Sequence, residues 1–191
     1  SSLQWGRWGG ADAIRQARAS RLADLVRFAR EHSRYYAERY AGLPDDVALE
    51  ALPVVTKHEL MSRFDDWVTD PEATRERLSA FLADRTRIGE LFLGRHAAWR
   101  SSGTTGDPGL YLHDAPACVI YHALIAAVMQ RPDVAAAWAF GQMAHGGRRA
   151  LVAATGEHFA GVVTWRALAQ WAPHASTCEL SVLRPVGEWV E

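Results

Sequence analysis

The first part of the chain carries the hydrophobic spacing of helices. Apolar residues between positions 11 and 32 recur on one side of a helical wheel, with arginines on the rest, so this segment predicts a long amphipathic helix. Thr56-Lys57-His58-Glu59 has the form of a capping box and predicts a helix start. Asp70-Pro71-Glu72 predicts another helix, which continues through Leu82 and ends near Asp84.

In the second part, extended and helical patterns alternate. Two half-buried strands are predicted before and after a Gly/Ser-rich segment, then a buried or amphipathic helix, a short helix or strand, a buried strand and a further helix. In chain order these elements span residues 97–100, 110–113, 115–130, 135–140, 148–154 and 159–170. The last residues, 180–191, resemble the start of one more helix.

Together these patterns predict an α/β fold. We expect residues 1–95 to form a mainly helical segment and residues 96–191 an α/β segment, both parts of one domain. A strand, a loop and a helix follow one another after residue 148, and parallel sheets built from such units bind ligands at the carboxyl ends of their strands.

Composition excludes several classes of function. The chain has 191 residues, 49% of them hydrophobic, which suffices for a buried core. A net charge of -1 with dispersed arginines argues against nucleic-acid binding. The most apolar stretch is too short to span a bilayer, and no signal peptide is evident. Two cysteines without paired spacing indicate reduced thiols and a cytoplasmic protein, with no metal site.

The segment Ser101-Ser102-Gly103-Thr104-Thr105-Gly106-Asp107-Pro108-Gly109 holds the strongest chemical signal. Glycines let the backbone approach an anion closely, while hydroxyls and successive amides donate to phosphate oxygens. The alternative is an ordinary hairpin turn, but such turns usually have two to five residues. Walker and Rossmann patterns are absent, and the single lysine, Lys57, lies far upstream. We therefore favour a phosphate-binding loop.

These residues resemble the adenylate-forming enzymes, whose phosphate loop ends Gly-Thr-Thr-Gly-x-Pro, as Ser102 to Pro108 does. The segment Arg27-Phe28-Ala29-Arg30-Glu31-His32-Ser33-Arg34-Tyr35-Tyr36 and the later Leu52-Pro53-Val54-Val55-Thr56-Lys57-His58-Glu59-Leu60 are similar to landmarks of the phenylacetate–coenzyme A ligase branch. One departure is that Gly109 and Leu110 follow the proline, where many members carry a lysine.

The resemblance implies an α/β fold, the N-terminal part of the large domain of such an enzyme, and a function in ATP-dependent carboxylate–coenzyme A ligation. The full reaction would form an acyl- or aryl-adenylate and then a thioester, using ATP, Mg²⁺, coenzyme A and a small carboxylic acid. It assigns the β- and γ-phosphates to Ser101, Ser102, Gly103, Thr104, Thr105 and Gly106, with Pro108 and Gly109 shaping the loop exit. The family's magnesium-binding and catalytic motifs are absent, so we expect no turnover by this chain alone.

A second candidate segment is Thr155-Gly156-Glu157-His158, which follows a predicted strand. It would form an acyl- or adenine-side wall of the site, with Thr155 capping a helix whose free amides face an anion. An ordinary helix start explains the same residues, and caps of this composition are common. Both interpretations stay open from the sequence.

A second class of function also stays open. Because the later family motifs are missing, the chain is alternatively a non-catalytic module that binds nucleotide or forms a homodimer. Loss of the rest of a domain would expose apolar surface, which favours self-association.

Overall fold

The computed structural model describes residues 10–101, 103, 108–171 and 176–189. The fold is mixed α/β and mostly helical, and the chain divides into two compact units, residues 1–75 and 76–191. The helices are α1 (Gly10–His32), α2 (Arg34–Arg39), α3 (Lys57–Ser62), α4 (Phe64–Trp67), α5 (Arg75–Ala83), α6 (Ala115–Met129), α7 (Pro132–His145) and α8 (Ala160–Trp171). The strands are β1 (Ala97–Arg100), β2 (Leu110–His113), β3 (Arg149–Ala153) and β4 (Thr177–Ser181), and short 3₁₀ turns span Leu49–Ala51, Arg85–Arg87 and Val186–Trp189.

The first unit is helical, and its core lies beside α1 and α2. Val26, Tyr35, Met61 and Phe64 are buried there. The predicted first helix is confirmed as α1. The predicted start at Thr56 is also confirmed, because its hydroxyl accepts a hydrogen bond from the Glu59 amide at 3.2 Å.

The helix predicted to begin at Asp70 begins later, at Arg75. Asp70 instead caps a local turn, in which its carboxylate accepts from the Glu72 amide at 3.0 Å. The first amide of α5, that of Arg75, donates to Asp65 at 2.6 Å. The cap is therefore supplied by a residue from another helix, which no local pattern reveals.

The second unit contains two sheets within the described residues. Strands β1 and β2 pair antiparallel, with Ala97 opposite His113 and Arg100 opposite Leu110. Strands β3 and β4 pair parallel and are joined by α8, which confirms the predicted strand-loop-helix unit. Helix α8 packs on β1 and β3. The core cluster of the second unit consists of Ile88, Val162 and Val163, with Trp99, Leu151 and Phe159 packed against it.

Several elements of this unit differ from their predictions. The strand β3 is not buried: its residues alternate between half-buried and exposed, because among described residues only β4 pairs with it. Helix α6 has no buried residue, although its sequence predicts a buried or amphipathic helix. The predicted short element at 135–140 is the longer helix α7, and the predicted final helix is replaced by β4 and a 3₁₀ turn.

None of the helices in the described ranges is both long enough and apolar enough to cross a membrane.

Candidate nucleotide-binding site

The candidate phosphate loop connects β1 to β2, and its base is closed by two hydrogen bonds. The Ser101 amide donates to the Gly109 carbonyl at 2.9 Å, and the Gly109 amide donates to the Ser101 hydroxyl at 2.8 Å. Gly103 adopts a φ of 71°, a left-handed conformation that favours glycine. The predicted phosphate ligands Ser102, Thr104, Thr105 and Gly106 lie outside the described residues.

At the exit of the loop, Pro108 is half-buried and Gly109 is buried. A Cβ atom at residue 109 would lie 2.6 Å from the hydroxyl oxygen of Tyr111. Glycine therefore lets the Tyr111 ring lie directly against the backbone where the loop ends. The predicted role of Pro108 and Gly109 in shaping the exit stays a prediction.

The end of β1 meets the second candidate segment. The Arg100 amide donates to the His158 carbonyl at 2.8 Å. The Arg100 guanidinium lies 3.5 Å from the Glu157 carboxylate, and the other oxygen of that carboxylate accepts from Arg85 at 2.5 Å. The structure thus brings the segment 155–158 against the base of the loop.

His158 belongs to the core and does not face an open cavity. Its side chain is fully buried, its Nε2 lies 2.9 Å from the Asp84 carbonyl, and its ring lies 5.2 Å from that of Phe81. A carbonyl oxygen only accepts hydrogen bonds, so Nε2 carries a proton and donates to it. His158 therefore anchors the segment 155–158 in the core, and Glu157 supplies the carboxylate of that segment.

Thr155 does not cap a helix, because α8 begins only at Ala160. It lines a cavity of about 400 Å³ together with Ser181 and Arg184, at the carboxyl ends of β3 and β4. Gly156 follows with a φ of 90° and open space around its Cα. This cavity lies where parallel sheets commonly bind ligands.

Glu179 lines the same cavity and is bound on its other side by α8. Arg166 donates to both of its carboxylate oxygens, at 2.9 and 2.8 Å. These bonds hold the pKa of Glu179 below its usual value and raise that of Arg166. The pair fixes β4 to α8 as well as placing one negative charge at the cavity wall.

His113, at the end of β2, packs against β1. Its ring lies 4.4 Å from that of Trp99 in an edge-to-face arrangement. Burial lowers the pKa of His113, and the nearby Asp114 carboxylate acts in the opposite direction. The neutral ring stabilises the hairpin that presents the loop.

The described part of the chain contains no cluster of three or more His, Cys, Asp or Glu side chains arranged to hold a metal ion.

Two cationic residues of this site, Arg85 and Arg100, are not among the residues assigned a role from the sequence. Arg100 ends the strand that leads into the loop, and residues 101–109 contain no lysine or arginine. This lack of positive charge within the loop is the sequence signal that points to Arg100. Arg85 gives no sequence signal, since its partner Glu157 lies far along the chain.

No protein-family model, curated protein or solved structure matches the chain.

Proposed function

We propose that this chain forms the N-terminal, nucleotide-phosphate-binding part of an ATP-dependent carboxylate–coenzyme A ligase that acts in the cytoplasm. The observation that carries the proposal is the Ser102–Pro108 sequence held between two paired strands. The Ser101 and Gly109 hydrogen bonds close its base, and Gly103 has a left-handed backbone. A segment anchored in this way at both ends can present its amides and hydroxyls to one anion.

The described residues include a cation suited to a polyphosphate but no cluster of magnesium ligands. Arg100 adjoins the loop, and its buried Nε has no hydrogen-bond partner in the described part of the chain. Magnesium ligands are not clustered in the described residues, so the proposal places them elsewhere in the protein. ATP would supply the adenylyl group that activates the acid, with pyrophosphate leaving, and coenzyme A is the proposed thiol that then displaces AMP. The chain's own contribution is to bind and orient the phosphates.

The proposal is tested by pyrophosphate release from the whole protein that carries this chain. The protein is incubated with ATP, Mg²⁺ and a panel of aliphatic and aromatic acids. We expect release that depends on both ATP and one class of acid. If no acid of a broad panel stimulates pyrophosphate release, the ligase proposal is contradicted. ATP hydrolysis that does not depend on an acid forms no acyl-adenylate.

Loop variants separate binding by this segment from activity elsewhere. Thr104→Ala combined with Thr105→Ala removes two hydroxyl donors. We expect the rate of pyrophosphate release to fall at least tenfold, because one donor to a developing charge commonly raises the rate by about tenfold or more. Thr177→Ala, an exposed threonine at the start of β4, is the matched control and should retain full activity. Equal activity in both variants would contradict the assignment of the loop.

A second candidate function, a homodimerising module, is favoured by the surface of α6 and α7. Helix α6 carries no Asp, Glu, Lys or Arg, and α7 carries Asp133 alone. The large apolar side chains exposed on these helices are Val119, Ile120, Tyr121, Leu124, Ile125, Val128, Met129, Trp138, Phe140 and Met143. Stable protein interfaces bury about 800 Å² on each partner, and large apolar and aromatic side chains are enriched at their centres.

The dimer is tested by light scattering of the purified chain. A second copy is the occupant that this surface fits, because two copies can pair α6 and α7 with Asp133 as the single Asp, Glu, Lys or Arg on these helices. Val119→Glu would place a charge in the interface and should yield a monomer. Val54→Glu, at an apolar position of the first unit that is 84% exposed, should leave the dimer intact. A monomeric parent chain would contradict this candidate.

A further inference from the structure

A loop that binds a triphosphate needs positive charge, and this loop carries none. The residues from 101 to 109 contain no lysine or arginine, and Leu110 follows. Amides and hydroxyls alone neutralise a multiply charged anion incompletely, so phosphate loops generally have a cation nearby. Arg100, directly before Ser101, is the adjoining positive residue.

The backbone of Arg100 is fixed while its side chain is under-bonded. Its amide donates to the His158 carbonyl at 2.8 Å and its residue pairs with Leu110, so the strand end is rigid. Its Nε is buried and has no hydrogen-bond partner among the residues that the structure describes. Its Nη1 lies 3.5 Å from Glu157, which is longer than a good charge-assisted hydrogen bond. The guanidinium therefore has unused donors.

Glu157 does not depend on Arg100 for its charge compensation. Its other oxygen is bound by Arg85 at 2.5 Å, a much closer contact. If Arg100 turned to another anion, Glu157 would keep one cationic partner. Among Arg85, Arg100 and Glu157, Arg100 is consequently the residue that can leave its present partner for another anion at the lowest electrostatic cost.

We propose that Arg100 is the cationic ligand of the nucleotide's phosphates and that Glu157 holds it beside the loop until the nucleotide binds. The inference rests on the proposed function and adds a residue to it. Binding exchanges the long Arg100–Glu157 pair for a guanidinium–phosphate pair, and Arg85 keeps Glu157 neutralised. A bidentate guanidinium takes the place of the lysine that related loops carry.

The dissociation constant of MgATP, measured by calorimetry on the whole protein, tests this exchange. Arg100→Gln should weaken binding about tenfold or more, since a charge-assisted hydrogen bond to phosphate is lost. Arg87→Gln removes the same charge from the same unit, at the pair with Glu90, and should change binding less than twofold. Arg100→Lys should restore part of the affinity.

Glu157→Gln gives an opposite prediction that a structural role would not produce. It removes the competitor for Arg100, so MgATP should bind several-fold more tightly, whereas Glu90→Gln should leave affinity unchanged. Thermal melting of each variant reports whether it is folded. Glu157→Gln remains informative if Arg100→Gln fails to fold.

The outcomes separate the role of Arg100 from the proposed nucleotide-phosphate binding by the loop. If MgATP binding is lost in the Thr104→Ala/Thr105→Ala variant but Arg100→Gln binds like Arg87→Gln, the role of Arg100 is overturned and the loop assignment stands. Unchanged or weaker binding by Glu157→Gln overturns the exchange. If neither MgATP nor inorganic tripolyphosphate binds the parent protein, both the function and this inference are overturned.

Discussion

The amide of Arg100 donates a hydrogen bond to the carbonyl oxygen of His158 at 2.8 Å. The two residues are distant in the chain: Arg100 directly precedes the candidate phosphate loop, and His158 is the last residue of the second candidate segment. Because His158 is itself anchored in the core by the Asp84 carbonyl, the bond ties the base of the candidate phosphate loop to a rigid part of the second unit. Preorganisation of this kind lowers the entropy cost of binding an anion.

Replacement of Gly89 by alanine should destabilise the second unit strongly. Gly89 has a φ of 95°, and a Cβ there would lie 2.9 Å from the Cβ of Arg166 on α8. Backbone strain and overpacking add, so Gly89→Ala should cost about 3 kcal/mol. Gly94→Ala, at a φ of 71° in open space, should cost about 1 kcal/mol. Urea unfolding measures both, and equal costs would show that α8 does not pack against Gly89.

The Arg166–Glu179 pair should make the stability of the second unit depend on pH. Arg166 lowers the pKa of Glu179 in the folded chain below its ordinary 4.5, so the stabilisation is complete above pH 4.5 and is lost as the pH falls through the lowered value. Glu179→Gln should therefore cost about 1 kcal/mol at pH 7 and progressively less below pH 4.5. Denaturant unfolding across this range measures the difference. A cost independent of pH would mean that packing, and not the charge, is lost.

The ring of His113 should titrate below its ordinary pKa of 6.5, because burial disfavours the charged ring. NMR titration of the imidazole protons, assigned with His113→Gln, measures this value. Asp114→Asn keeps the cap on α6 but removes the carboxylate that favours the cation, and should lower the pKa further. Because the unfolded chain binds this proton more readily than the folded chain, the free energy of unfolding should decrease as the pH falls below 6.5. Titration above 6.5 would contradict burial against Trp99.

Two helix caps in the first unit should differ in their contribution to stability. The hydroxyl of Ser33 is buried, accepts from the Tyr36 amide at 3.3 Å and donates to the Asp66 carbonyl at 3.1 Å. Ser33→Ala leaves two partners unsatisfied and should cost about 2 kcal/mol. Thr56→Ala, whose single capping bond is exposed, should cost about 1 kcal/mol. Thermal or urea unfolding compares them; the reverse order would contradict the burial of Ser33.

Elements determined by local pattern could be predicted from the sequence. Helix α1, the Thr56 cap, β1, β2 and the order of β3 and α8 follow from hydrophobic spacing and capping residues, which act within a few positions. The strand β4 is not predicted, because residues 180–191 resemble the start of a helix. The start of α5 could not be predicted, because its cap comes from Asp65. The exposure of β3 and α6 depends on which elements pack against them, and no local pattern specifies that.

The candidate site could be predicted only as two separate segments. The Ser101–Gly109 closure fits the loop prediction, but the sequence does not show that Glu157 and His158 lie beside Arg100. Ion pairs between residues so distant along the chain depend on the tertiary fold. The same holds for His158, whose burial under Phe81 removes it from the candidate binding wall.

The proposed function depends on polyphosphate binding by the segment from Ser101 to Gly109. Backbone amide NMR of the chain during titration with MgATP and with inorganic tripolyphosphate tests it most directly. We expect saturable shifts concentrated at Ser101, Gly103 and Gly109 with either probe, and no such shifts in the Thr104→Ala/Thr105→Ala variant. Saturable shifts located elsewhere, or amides at these three residues that do not respond to either probe, would contradict it.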